Sequence, residues 1–398
     1  MRAGGRAPHL VAWLLLAALQ GCAAADAGRP DLELRDFARL GAAEDARPAG
    51  GRDLRTLVAG TRAPTPFLRR VAVRGLGRLE DPALLDAIVP LLDDPSAGVR
   101  AQAADALAQA FHRTGGAPAL PHHLRRVRSE EHAEAAAAVA RSLGRLRLTG
   151  PDARSAEGAL LTLSRQGAGG PDASPRLMLG VALGMESFAR RLGPDGVGPG
   201  LRTRLAHLTH YRSGGETGAR IRTLAFLSLA AAGGAEAELV ARGLGDLDTA
   251  VRRAAAAALV PASPGPAPPA VARILADPSS RVRLEGVRIL AASVPSEASC
   301  ARLLEATEDP SAAVRLAAID ALASPCPPVR DQTERLTSVA ASLSPEDGLE
   351  WHGPAHALFS LSGVDPDAAR ALLPRFLAHE SPFARAWAAR AAGRLGEV

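Results

Sequence analysis

Ten times along this sequence an Arg-like position is followed seven residues later by a Leu-like one. The clearest copies run Val99-Arg100 to Leu107, Val251-Arg252 to Leu259, Val282-Arg283 to Leu290 and Val314-Arg315 to Leu322. Weaker ones run Leu68-Arg69 to Leu76, Pro175-Arg176 to Leu183, Ile221-Arg222 to Leu229, Trp351-His352 to Phe359 and Ala384-Arg385 to Ala392. Ala135-Ala136 to Leu143 is the most degenerate. Successive anchors are separated by 31, 36, 40, 46, 30, 31, 32, 37 and 33 residues, each the length of a helix pair. A period in this range marks an array of stacked supersecondary units, which can run to 398 residues as one fold.

The local pattern within a copy is helical. Asp81-Pro82 precedes Leu84, Leu85, Ile88, Leu91 and Leu92, spaced by three and four on one face. Asp94-Pro95 then opens a second helix, with Val99, Ala103 and Leu107 at i, i+4 and i+8. In this reading Asp accepts hydrogen bonds from the first free amides, and Pro occupies the first helical position. The start recurs as Asp277-Pro278-Ser279 and Asp309-Pro310-Ser311. Aromatic residues are only 3% of the chain, so the core must be built from Ala, Leu and Val on closely approaching helices.

The pattern Asp-Pro-Ser-x-x-Val-Arg followed by an Ala-rich helix resembles HEAT repeats of the short bacterial type also seen in phycobilin lyase-like proteins. That resemblance covers about residues 52 to 397. It implies an all-α fold, a right-handed α-solenoid of about ten HEAT-like helix pairs. It also implies that the anchors Arg69, Arg100, Arg176, Arg222, Arg252, Arg283, Arg315 and Arg385 are structural, each pairing with an Asp near the turn between repeats. The stretches Gly167 to Ser174 and Gly193 to Gly200 carry the excess length of the two longest steps. Insertions in solenoids map to loops on one face, often the binding face.

The amino terminus reads as an address. Arg2 and Arg6 precede an uncharged apolar stretch from Leu10 to Leu19, too short to span a bilayer but suited to a signal peptide. Leu19-Gln20-Gly21-Cys22 resembles the bacterial lipobox, which implies lipidation at Cys22, with ordinary cleavage after Ala25 as the competing reading. Residues 1–22 are therefore expected to be a lipoprotein signal, 23–50 a flexible tether, and 51–398 the solenoid. Ala23 after the cysteine implies the outer membrane, facing the periplasm. Of the three cysteines, lipidation would leave Cys300 and Cys326. They are available for a disulfide, but two unpaired small core residues is the preferred reading.

Signatures of catalysis are sparse. All 47 basic residues are Arg, so no phosphate-binding Gly-Lys-Ser/Thr loop exists. A net charge of +5 with both signs interleaved gives no basic stripe, so no nucleic-acid partner is expected. His352 with His356, and His207 with His210 beside Tyr211, have helix-face spacing, but zinc needs three or four ligands. No metal and no cofactor are expected. The iron-binding HEAT hydroxylases carry several His-Glu dipeptides, and only His379-Glu380 occurs here.

Asp309 to Leu322, with Trp351-His352 and Arg385-Ala386-Trp387, resembles the HEAT half of exported bacterial proteins that continue into a cyclophilin-type peptidyl-prolyl isomerase domain. The isomerase domain itself is not in this sequence. The expectation is a non-catalytic, lipid-anchored scaffold that binds a protein partner in the cell envelope. The alternative is an enzyme-associated module, of truncated isomerase or lyase-like type.

Overall fold

A computed structural model describes residues 30–166, 174–259, 269–344 and 351–397. The described residues are helices and connecting turns, and the chain divides into two compact units at Arg113 and Thr114. It is an all-α array of helix pairs, an α-solenoid.

The first unit contains α1 (Pro30–Asp45), α2 (Gly51–Gly60), α3 (Pro66–Arg78), α4 (Leu85–Ile88) and α5 (Ala97–Ala110). Helix α1 lies where the sequence predicts a flexible tether over 23–50. Its Leu40, Ala43 and Glu44 are buried, and Glu44 accepts hydrogen bonds from Arg74 (2.6 Å) and Arg78 (2.6 Å). The partners lie 30 and 34 residues away in sequence, which is why composition alone reads this segment as a linker. Helix α4 is a single turn between two 3-10 segments, Pro82–Leu84 and Val89–Asp93. Pro90 lacks the N–H that a continuous helix would need. The predicted stripe still holds, because Leu84, Ile88, Leu91 and Leu92 are all buried.

The second unit begins with α6 (Leu120–Ser129), α7 (Ala133–Arg145), α8 (Gly150–Gln166) and α9 (Pro175–Gly196). It continues with α10 (Pro199–Leu208), α11 (Gly215–Ala231), α12 (Ala237–Gly243), α13 (Thr249–Ala257), α14 (Ala270–Leu275) and α15 (Ser280–Ala292). The last members are α16 (Glu297–Ala306), α17 (Ala312–Ala321), α18 (Val329–Ala341), α19 (His352–Val364), α20 (Pro366–Leu377) and α21 (Pro382–Leu395). Consecutive helices pair, and the second members (α7, α9, α11, α13, α15, α17, α19, α21) pack successively on one another as a layer.

The second helices α5, α15 and α17 open in the same way, and not quite as the sequence predicts. Ser96, Ser279 and Ser311 take the N-cap position, so the Asp-Pro before them forms the preceding turn. The carboxylates of Asp94, Asp277 and Asp309 each accept the N–H of that Ser at 2.8 Å, a closed turn that sets the direction of entry. Val99, Val282 and Val314, three residues on, are buried, as are Leu107, Leu290 and Leu322.

The stretched middle departs from the predicted register. Pro175 and Arg176 are exposed, while Met178 and Met185 are fully buried. Ser174 is the N-cap of α9, so Leu177-Met178 occupies the Val-Arg slot two residues beyond the pair that the sequence pattern selects. Among the described residues, Arg176 reaches only Glu134, at 3.7 Å on the surface. Helix α9 breaks at Gly193, whose φ of +67° is the left-handed conformation that glycine tolerates. Between α7 and α9 the backbones nearly touch. A Cβ on Gly184 would fall 2.2 Å from the Ala140 carbonyl oxygen, and one on Gly144 equally close to that of Gly184. Residues 167–173, most of the first predicted insertion, lie outside the described residues.

Cys300 and Cys326 are joined in a disulfide, with Cα atoms 5.7 Å apart. This overturns the reading of two unpaired core cysteines. Helix α16 holds Cys300 against the turn after α17, where Gln332 fixes the backbone by accepting the Cys326 N–H at 2.9 Å. No helix among the described residues is long and apolar enough to cross a membrane.

Candidate functional site

Two side-chain systems stand out on this framework: a ladder of arginines along the turns, and an aromatic seam on the last second-helices.

The ladder repeats one geometry. In Arg283, Nε and Nη2 donate to Asp309 at 2.7 and 2.8 Å, while Nη1 donates to the carbonyls of Asp277 and Pro278 at 2.9 and 3.1 Å. One guanidinium thus fastens its own turn and the next one. Arg69 with Asp94, Arg222 with Asp246 and Arg252 with Asp277 form the same forked pair. Arg100, Arg315 and Arg385 place Nη1 on the carbonyls six and five residues before them. These forks are largely buried, with Arg283 and Asp309 side chains only 13% and 10% exposed, so water screens them little.

Burial pushes the carboxyls of Asp94, Asp246 and Asp277 up, but hydrogen bonds from the paired arginine and from a turn amide bring each below the usual carboxylate range. At Asp309 the Arg283 hydrogen bond is the largest influence, with the same result. The ladder also recruits residues that the Asp pattern does not contain. His379 sits six residues before Arg385, accepts the Ser381 N–H on Nδ1 at 3.0 Å, and gives its carbonyl to Arg385. Glu130 likewise accepts the His132 N–H at 3.0 Å, and it pairs with Arg126. Their signal in the sequence was position: both lie where Asp lies elsewhere, six residues before an anchor.

The seam gathers aromatic side chains, which are sparse in the rest of the chain. Five of its twelve aromatic residues fall between 351 and 387. Trp351 stacks on Phe383 at 5.4 Å, and Phe383 is 63% exposed. His356 lies 4.1 Å from the Trp387 ring and donates from Nδ1 to Asp320 at 2.7 Å. Phe359 meets Trp387 edge-on at 5.6 Å. Arg390 lies over both rings, 4.4 Å from Trp387 and 5.3 Å from Phe359, and Arg394 also lies over Phe359 at 5.3 Å. The seam therefore joins α17, α19 and α21 through an aromatic surface edged with exposed positive charge.

The predicted Trp351-His352 anchor contributes to the seam and makes no rung: Trp351 is buried, and His352 stacks on it at 3.8 Å. Neither His352 with His356 nor His207 with His210 belongs to a group of three or more metal-type ligands among the described residues. In the stretched middle, residues from Gly196 to Gly200 line a cleft of about 800 Å³ against α8, and there Glu157 accepts the Gly198 N–H at 3.2 Å. Cys22 lies outside the described residues.

Solved structures similar to this chain include an engineered protein, 17% identical over 87% of this chain and 99% of its own, with a TM-score of 0.46. The Escherichia coli protein YibA is 16% identical over 85% of this chain and 99% of its own, with a TM-score of 0.43. A designed armadillo repeat protein is 17% identical over 60% of this chain and 99% of its own, with a TM-score of 0.38. No curated protein sequence matches the chain. Residues 54–144 and 266–347 match the family model of HEAT repeats, which covers most of the first unit and the region of the most regular rungs.

Proposed function

We propose that this protein is a non-catalytic scaffold that holds a protein partner in the cell envelope, anchored there by lipid on Cys22. The observation that carries the binding role is the aromatic seam. Partly exposed Trp, Phe and Arg side chains on adjoining rigid helices are the composition from which binding hot spots are made. Positive charge from Arg390 and Arg394 fits a partner surface rich in carboxylates. The bridge between Cys300 and Cys326 supports an oxidising compartment, as export to the envelope would provide.

Cross-linking in intact envelopes, followed by affinity purification, tests this reading. The expected result is a partner enriched by the natural chain and lost from the variant Trp387→Ala with Arg390→Ala at unchanged helix content. An identical set of captured proteins from both, or none from either, removes the seam as the binding surface. Mass spectrometry of the mature amino terminus tests the anchor: diacylated or triacylated Cys22 is expected, and an unmodified Ala23 or Asp26 terminus contradicts it.

A further inference from the structure

The rung at Arg222 is built differently from the others. Helix α11 begins at Gly215, seven residues before its anchor, whereas α5, α13, α15, α17 and α21 begin three residues before theirs. The carbonyls that Nη1 would otherwise take are thus inside the extra turn of helix. Nη1 of Arg222 turns instead to the carbonyl of Tyr211, eleven residues back, at 3.2 Å. The displaced loop lies across α11 at Gly218, where a Cβ would fall 1.7 Å from the Ser213 carbonyl oxygen. Between this loop, α11 and α12 a cavity of about 310 Å³ opens.

Four of its nine lining residues are basic. His210, Arg212, Arg222 and Arg242 line it against a single carboxylate, Asp246, with the hydroxyl-bearing Tyr211 beside them. Asp246 is already saturated: it accepts from Arg222 at 2.7 and 3.1 Å and from the Asp248 N–H at 2.9 Å. Arg222 is neutralised by it. Arg212 makes no ion pair among the described residues, and Arg242 has only an exposed pair with Glu238, which water screens. Two guanidinium charges and an imidazole therefore face one small cavity without a buried counter-charge.

We propose that this cavity is a binding site for a phosphate-type oxyanion, held by Arg212, Arg242 and His210, with Arg222 fixing the loop. A dianion matches the charge of Arg212 together with that of Arg242, whose pair with Glu238 is exposed, and the cavity has room for the anion or a terminal phosphoryl group. The electrostatics agree: burial, then the charges of Arg242, His207 and Arg212, hold the His210 imidazole below its ordinary value. A bound anion would reverse the charge influence.

The test follows the His210 ring by NMR in the purified full chain, its signal identified by loss in His210→Gln. Inorganic phosphate is titrated against chloride at equal ionic strength. The His210 titration midpoint is expected to rise with phosphate and not with chloride. In Arg212→Gln with Arg242→Gln, phosphate affinity should fall about tenfold or more. Both substitutions are outside the forked pairs, and far-UV circular dichroism checks the fold, with each single variant as a second reading. Phenyl phosphate separates the sources: equal binding indicates a phosphoryl group on a larger molecule, and binding of inorganic phosphate alone indicates the free ion. A midpoint that phosphate leaves unmoved, or that moves equally in the double variant, overturns the proposal.

Discussion

Arg283 and Asp309 are 26 residues apart in sequence and meet through two parallel hydrogen bonds of 2.7 and 2.8 Å. The same guanidinium also fastens the turn that begins at Asp277, and Asp277 is in turn held by Arg252. Neighbouring repeats are therefore tied by a chain of alternating charges, and removing one member leaves its partner buried and unpaired.

Asp277→Ala should destabilise the second unit by on the order of 3 kcal/mol, since it strands the Arg252 guanidinium and opens the Ser279 turn. Asp277→Asn keeps an acceptor for the Ser279 N–H and should cost less. Urea denaturation followed by circular dichroism measures both. Equal effects of the two substitutions would mean that the charge pair, and not the turn, sets the energy.

Acid should weaken the ladder selectively. The carboxyls of Asp94, Asp246, Asp277 and Asp309 have pKa values lowered on folding, so their contribution is fully present above the unfolded value of about 3.9. It is lost as pH falls below that value and through the folded ones. Melting temperature should therefore be flat with respect to these groups near neutrality and fall steeply below about pH 4. Asp309→Asn should flatten part of that acid limb.

Reduction should destabilise the chain at the junction of α16 and α17. Closing a loop of 26 residues is worth about 3.5 kcal/mol in the chain-entropy model. Thermal melts with and without reductant should differ, and in Cys326→Ser the difference should vanish.

The α7–α9 contact decides a case in which helix propensity and sterics oppose each other. Gly→Ala within a helix is ordinarily favourable by about 1 kcal/mol. At Gly184 the added methyl meets the Ala140 carbonyl oxygen, a backbone group that cannot rotate away. Gly184→Ala should therefore destabilise, by about 1–3 kcal/mol. Gly158→Ala, in open space on α8, should be neutral or stabilising. The shifted register makes a similar contrast: Met178→Ala should cost about 2–5 kcal/mol as a core deletion, and Arg176→Ala less than about 0.5 kcal/mol.

The repeating helices were legible because burial at Val99, Leu107, Val282 and Leu290 depends on contacts that recur in every copy. What the sequence hid depends on partners far along the chain. Helix α1 is fixed by Arg74 and Arg78, and the Cys300–Cys326 bridge by how α16 meets a turn. At 175–183 the Pro-Arg-to-Leu match satisfied the residue types of the pattern but not its geometry. The N-cap carried the better signal, because Ser174 precedes Leu177 by the same three residues that separate Ser96 from Val99. His379 was concealed by chemistry, since an imidazole nitrogen can accept a turn amide as a carboxylate does. The seam was visible only as a local excess of aromatics, because its residues become one surface when α17, α19 and α21 are side by side.

The most direct test of partner binding through that seam is site-specific photo-cross-linking in the intact envelope, with the reactive side chain placed at position 387 or at the exposed position 176. Binding through the seam predicts a discrete adduct from 387 that disappears when Arg390→Glu is added, and none from 176. No adduct from 387, or the same adducts from both positions, would contradict it.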